Sequence, residues 1–192
     1  MSAAADFSPA KSAKLEHAAA RLDAFTAGVG RVVAYFGLAT VFLCFACVYL
    51  RYALGIGFVW LQESYVWTHC AVIMFGSSYG LLQGGFVRVD IFYNRMSARG
   101  KAAVDLFGTI VFLLPFLLMM TVSGWGFFSS SWKMSERSAY ESGLPAVYLL
   151  KGTILIFALL MGLQGLGIAL RCIVTLRGGA ARPVPAAPPE EM

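Results

Sequence analysis

The chain has 192 residues, 59% of them hydrophobic and 13% charged, with 15 Lys+Arg against 10 Asp+Glu. Soluble domains average about 45–50% apolar and about 25% charged, so an ordinary soluble enzyme is excluded, and apolar blocks this long exceed what one small core can bury on every face. The four cysteines (Cys44, Cys47, Cys70 and Cys172) all lie in or beside those blocks, which excludes a secreted disulfide scaffold.

In chain order, Ser8-Pro9 reads as an N-cap with proline at the first helical position. Leu15, Ala18, Leu22, Phe25 and Val29 then recur at helical spacing, with Lys14, Glu16, Arg21 and Asp23 opposite. The pattern predicts an amphipathic N-terminal helix lying along the membrane surface. Its alternative is a helix that extends the first membrane span into water.

Four uninterrupted neutral stretches follow: Val32–Leu50, Ser64–Val87, Leu106–Trp132 and Gly152–Leu170. None contains a charged residue, and each is long enough to cross a hydrocarbon core about 30 Å thick, which takes roughly 20 residues. A backbone in lipid must satisfy its own hydrogen bonds, and barrel-type alternation is missing, so the spans are predicted as helices. Charges and tryptophans mark their ends: Arg31, Arg51, Trp60, Glu63, Arg88, Asp105, Trp132, Lys133, Lys151 and Arg171. Pro115 predicts a kink in the long third span. The expected fold is an all-α integral membrane protein with four transmembrane helices. Residues 1–31 form a cytoplasmic segment, 32–177 the membrane domain, and 178–192, rich in Ala and Pro, a disordered tail.

Orientation follows from basic residues. The N-terminal segment, the middle loop and the tail hold eleven, against four in the loops carrying Arg51, Lys133, Arg137 and Lys151. The positive-inside rule places both termini in the cytoplasm.

Two faces invite a neighbouring helix. Gly76, Gly80 and Gly84 fall four apart in the second span, and Gln164 sits among Ala158, Gly162, Gly165 and Ala169 in the fourth. Chemistry is sparse by comparison. Transport through a protein calls for ionisable groups at mid-depth, and none is evident. His17 and His69 fall at opposite ends of the membrane, so they cannot clasp one haem, and Cys44-Phe-Ala-Cys47 has no second ligand pair for zinc. No phosphate-binding, dinucleotide-binding or hydrolase motif occurs. No cofactor is expected, and topology accounts for the basic charge without nucleic acid. Boundary charges remain: Glu63 in the first turn of the second span, Arg88 and Asp90 at its end, and Glu136 and Ser138 in the outer loop. Each serves either as an anchor or as a contact with another subunit.

Gly85-Phe86-Val87-Arg88-Val89-Asp90-Ile91-Phe92-Tyr93 resembles the stretch closing the second helix in the small membrane subunits of tripartite ATP-independent periplasmic (TRAP) transporters, the DctQ-like proteins. Trp60 and Glu63, Ser131-Trp132, Ser135-Glu136-Arg137-Ser138, Gly143-Leu144-Pro145, Tyr148-Leu149-Leu150-Lys151 and Leu163-Gln164-Gly165 match that family in the same order. Phe86 stands where many members carry His. The resemblance implies a bacterial inner-membrane protein partnered with a large permease subunit and a periplasmic substrate-binding protein in sodium-driven uptake of organic acids. The expected role is a scaffold; the rivals are a quinone- or haem-binding membrane anchor and a small self-assembling channel.

Overall fold

The computed structural model describes residues 9–86, 93 and 95–178. Four helical rods account for nearly all of them. The first is α1 (Pro9–Ala53) and the second α2 (Val59–Leu82). The third is continuous over Ala98–Lys133 and consists of α3 (Ala98–Gly108), a π-helical turn (Thr109–Leu113) and α4 (Leu114–Lys133). The fourth is α5 (Val147–Leu176).

Ends are set by local chemistry. At α2, Gly84 adopts a left-handed φ of 69°. The Gly85 N–H then bonds the Gly80 carbonyl at 2.9 Å and the Gly84 N–H the Leu81 carbonyl at 3.2 Å, the paired bonds of a Schellman stop. The Ser97 hydroxyl caps α3 by accepting the Gly100 N–H at 3.2 Å. Pro115 has no N–H to donate and its ring crowds the carbonyl four residues back. The ladder widens just ahead of it, where the Leu114 N–H reaches back to Thr109. A π-helical turn thus ends two residues before Pro115, where a kink was expected.

α5 lies at the centre, touching α1, α2, α3, the π-helical turn and α4, while the third rod leans chiefly on α5. Its most apolar window is 39% buried inside the chain, against 6% for α1 and for the third rod. Close seams follow from small residues. Gly124 of α4 faces Ile154 and Leu155, Gly152 faces Phe128, and Gly165 faces Leu113 and Thr109 of the π-helical turn. Leu81 of α2 joins the two apolar clusters, one around Ala102, Ile168 and Cys172 and the other around Leu117, Ala158 and Met161.

α1, the third rod and α5 are long and apolar enough to cross a membrane. α2 has 24 residues but carries Gln62, Glu63, Ser64, Thr68, His69, Ser77 and Ser78. Its hydroxyls bond back to their own helix, Ser64 to the Trp60 carbonyl at 2.7 Å and Ser77 to Ile73 at 2.6 Å.

The N-terminal segment differs from the surface-lying helix. α1 starts at Pro9 and continues without a break into the apolar stretch; Ser8 lies outside the described residues. The buried stripe of α1 is Ala19, Thr26 and Val33, with Leu22 and Asp23 facing Gly167 of α5, whereas Phe25 is exposed. Asp23 therefore belongs to the packed side and not, as expected from periodicity, to the water side. One continuous contact face explains why the rod does not bend away at Arg31. The expected tail lies outside the described residues from position 179 onward.

Candidate functional site

Two polar clusters are built into the fold. The first ties the loop between α4 and α5 to both neighbouring helices. Glu63 was expected in the first turn of its helix, but α2 starts at Val59, one turn earlier, and no acid occupies its first turn. Glu63 therefore meets the loop instead of the helix N-terminus. One carboxylate oxygen accepts the Ser138 hydroxyl proton, and the other accepts the Leu144 N–H at 2.5 Å. Ser138 in turn accepts the Tyr140 N–H at 3.2 Å and donates its own N–H to the Leu144 carbonyl at 3.3 Å. Charge-assisted bonds of this kind are the stronger class.

Glu136 completes the cluster from the other side. Its N–H bonds the Ser131 carbonyl at 3.1 Å and its carbonyl accepts the Val147 N–H at 3.0 Å, joining the end of α4 to the start of α5. Its carboxylate accepts from Lys151 Nζ at 2.5 Å, and that ammonium sits 4.1 Å from the centre of the Phe127 ring. The Lys151 ammonium first, and the nearby Ser131 hydroxyl second, hold the Glu136 carboxyl below its usual value against an opposing desolvation. Ser135 (φ 47°) and Ala146 (φ 71°) flank the loop in the left-handed region, which side chains rarely adopt. The loop is thus a fixed shape. Trp132 stacks edge-on with Tyr148 at 4.8 Å beneath it, and Trp125 and Phe128 continue the aromatic patch.

The second cluster joins α1 to α5. Gln164, 1% exposed, accepts the Thr26 hydroxyl proton at 2.9 Å and donates to Asp23 at 3.2 Å. The other Asp23 oxygen forms an ion pair with Arg171. Periodicity held the signal for this cluster, because Thr26 and Asp23 are three apart and Gln164 and Arg171 seven apart, so each pair shares a helix face. What it lacked was the pairing between the two helices. Further along α1, Thr40 donates to Thr68 of α2 at 2.8 Å.

Of the residues singled out from sequence, Glu63 and Ser138 are brought into contact, and Glu136 lies in the same loop on a separate partner. Gly76 faces Val33 of α1, Gly80 lends its carbonyl to the helix stop, and Gly84 has already left the helix. Gln164 spends its amide inside the chain. Arg88 and Asp90 lie outside the described residues. Sequence reasoning did not single out Lys151, Leu144, Asp23 or Arg171 as members of a site. Among the described residues no three His, Cys, Asp or Glu side chains gather as a ligand set. Chemically, each cluster contains one carboxylate–cation pair, Glu136 with Lys151 and Asp23 with Arg171, and ties neighbouring segments together.

A family model, Tripartite ATP-independent periplasmic transporters, DctQ component, matches residues 40–176. No curated protein and no solved structure matches the chain.

Proposed function

From the fact that the chain belongs to the DctQ component family of tripartite ATP-independent periplasmic transporters, we propose that it is the static scaffold of such a transporter, holding a large permease subunit while that partner moves the substrate. Membership makes it a small membrane subunit of a transport system and not an enzyme. The finer reading is that all four rods cross a bacterial inner membrane with both termini in the cytoplasm. On it, transport is sodium-driven uptake of organic acids delivered by a periplasmic binding protein.

The observation that carries the scaffold reading is how the helices use their polar groups. Thr26, Gln164, Asp23 and Arg171 bond one another across α1 and α5, as Thr40 bonds Thr68 across α1 and α2. A group that grips and releases a solute has to break and remake its bonds, whereas polar groups already bonded between helices resist rearrangement. Large apolar side chains meanwhile cover the outward faces of α1 and the third rod, among them Phe42, Phe45, Phe112, Leu118 and Trp125. In a membrane those faces meet lipid or a partner helix, and the third rod, leaning on α5, leaves room for one.

On this reading Glu63, Ser138 and Glu136 act by fixing the shape of the outer loop, which presents Tyr140 and Arg137 to the arriving binding protein. Gly76 and Gly80 set the thickness of α2, and Arg88 and Asp90 contact the permease on the cytoplasmic side. Gln164 supports the scaffold from within.

Reconstitution tests the proposal. Proteoliposomes holding this chain with the large permease and binding protein should accumulate substrate under a sodium gradient, while liposomes with this chain alone should accumulate none. Substrate flux through the isolated chain would overturn the scaffold role.

A further inference from the structure

We infer that the outward stripe of α2, formed by Gln62, Val66, His69, Ile73, Ser77 and Gly80, seats a transmembrane helix of the large permease subunit, and that this helix carries a side-chain hydrogen-bond acceptor level with His69. The inference rests on the reading of all four rods as membrane-crossing and of the chain as the permease's partner. What it adds is the face by which the two meet.

Helical rotation picks out the stripe. α2 packs against α1 and α5. Thr68 and Tyr79 face α1, at Thr40 and Gly30, while Ala71, Ser78 and Leu82 are buried. With 3.6 residues per turn, the opposite side carries Gln62, Val66, His69 and Ile73, and all four are exposed. Ser77 and Gly80 extend the same line. The Ser77 hydroxyl is turned back to the Ile73 carbonyl, and a methyl group added at Gly80 would meet only the Phe86 ring, at 4.0 Å. That end of the stripe is therefore low enough for another helix to come close.

Depth follows from the bond between Thr40 and Thr68. Thr40 stands near the middle of the charge-free stretch Val32–Leu50 of α1. His69, next to Thr68, is thus level with mid-membrane, about 15 Å along α2 from Val59. This corrects the expectation that His69 falls at one end of the membrane. The early start of α2 carries it inward, as it does Glu63.

An imidazole exposed at that depth does not suit lipid, because a polar side chain facing hydrocarbon is costly. Among the described residues the side chains of Gln62 and His69 make no hydrogen bond. The outward face of α1, with Phe42 and Phe45, meets lipid at no such cost. α2 therefore needs a polar neighbour where α1 does not. A neutral imidazole offers one N–H and one acceptor nitrogen. A second copy of this chain in the same orientation would set imidazole against imidazole and leave one N–H of the two without an acceptor. A different helix with a carboxylate or side-chain carbonyl at that level completes the bond. Such a bond holds two helices together, which is what a scaffold requires of its partner face.

Photocrosslinking in membranes of cells that make all three transporter components tests the assignment. p-Benzoylphenylalanine placed at Val66 or at Ile73 leaves Gln62 and His69 intact and should yield an adduct with the large permease. The same group at Phe45 should yield none. H69L should reduce the permease that co-purifies with the chain by about threefold or more, and H69Q, which restores a donor, should recover most of it. Adducts with a second copy of this chain, equal labelling of the permease from Phe45, or undiminished co-purification of H69L would overturn the inference. A permease that stays bound while neither Val66 nor Ile73 labels it would overturn this face and leave the scaffold reading standing. An intact chain that retains no permease would overturn both.

Discussion

Glu63 and Leu144 are separated by 81 positions in the chain, yet the Leu144 N–H meets the Glu63 carboxylate at 2.5 Å. This bond and its companion from Ser138 pin the α4–α5 loop over the start of α2. An acidic side chain of α2 is thereby turned into a fastening for backbone, and the loop needs no helix or strand of its own to keep a shape.

Replacing Glu63 with alanine should release the loop. Hydrogen bonds to a charged group contribute about 1.5–3 kcal/mol, and two are lost together. E63A should lower the thermal midpoint and expose the segment between Met134 and Ala146 to protease, while S138A, which removes one bond to the carboxylate and the neutral bond from the Tyr140 N–H, should do so less. Limited proteolysis of detergent-solubilised protein measures both. Equal cleavage of E63A and the intact chain would show that the loop holds without the carboxylate.

Glu136 predicts a pH dependence with a definite sign. Its carboxyl is depressed in the folded chain below a reference of 4.5 by Lys151 and Ser131. A depressed carboxyl contributes stability that is present above the unfolded value and disappears as pH falls through the folded one. The difference in thermal midpoint between the intact chain and E136Q should therefore be full near neutral pH and shrink below about pH 4.5. K151M should weaken the pH dependence of that difference. A gap between the intact chain and E136Q that widens on acidification would contradict the assignment.

How much of this was legible beforehand depends on the range of the interaction. Helical rods, their apolar cores and the anchoring charges follow from periodicity and from the exclusion of charge, both local properties. Helix starts were less legible: Val59 to Gln62 has no capping residue, so the extra turn that moves Glu63 away from the helix end leaves no trace in composition. Asp23 shows the same limit. On its own helix it alternates with apolar neighbours as a solvent-facing acid would, and only Arg171, far along the chain, turns that face inward.

Asp23 and Arg171 carry the next prediction. Their side chains are 21% and 11% exposed, and removing one member of a buried pair leaves an uncompensated charge at a cost of about 3–5 kcal/mol. R171M should thus be strongly destabilising, because Asp23 loses its counter-charge, while D23N/R171M should recover part of the loss. Thermal midpoints of the two single variants and the double variant, read as a mutant cycle, give the coupling. Additive losses would mean that the two side chains do not work as a pair.

Packing between α1 and α2 gives a prediction with a built-in control. A methyl group added at Gly30 would lie 2.5 Å from the Cγ and Cδ2 atoms of the Tyr79 ring and 3.1 Å from its Cβ, whereas one added at Gly28 would meet nothing within 4 Å. The ring cannot swing aside freely, because its base is part of the clash and its hydroxyl accepts from Gln83 at 2.7 Å. Overpacking of this kind costs about 1–3 kcal/mol. Alanine in place of an unconstrained helical glycine instead gains up to about 1 kcal/mol. G30A should therefore lower the thermal midpoint and G28A raise it or leave it unchanged, although the two substitutions sit two residues apart on one helix and are chemically the same. Because helix propensity acts on both sites alike, the gap between the variants isolates the contact with Tyr79. Matching midpoints for G30A and G28A would place α1 further from α2 than the structure has it.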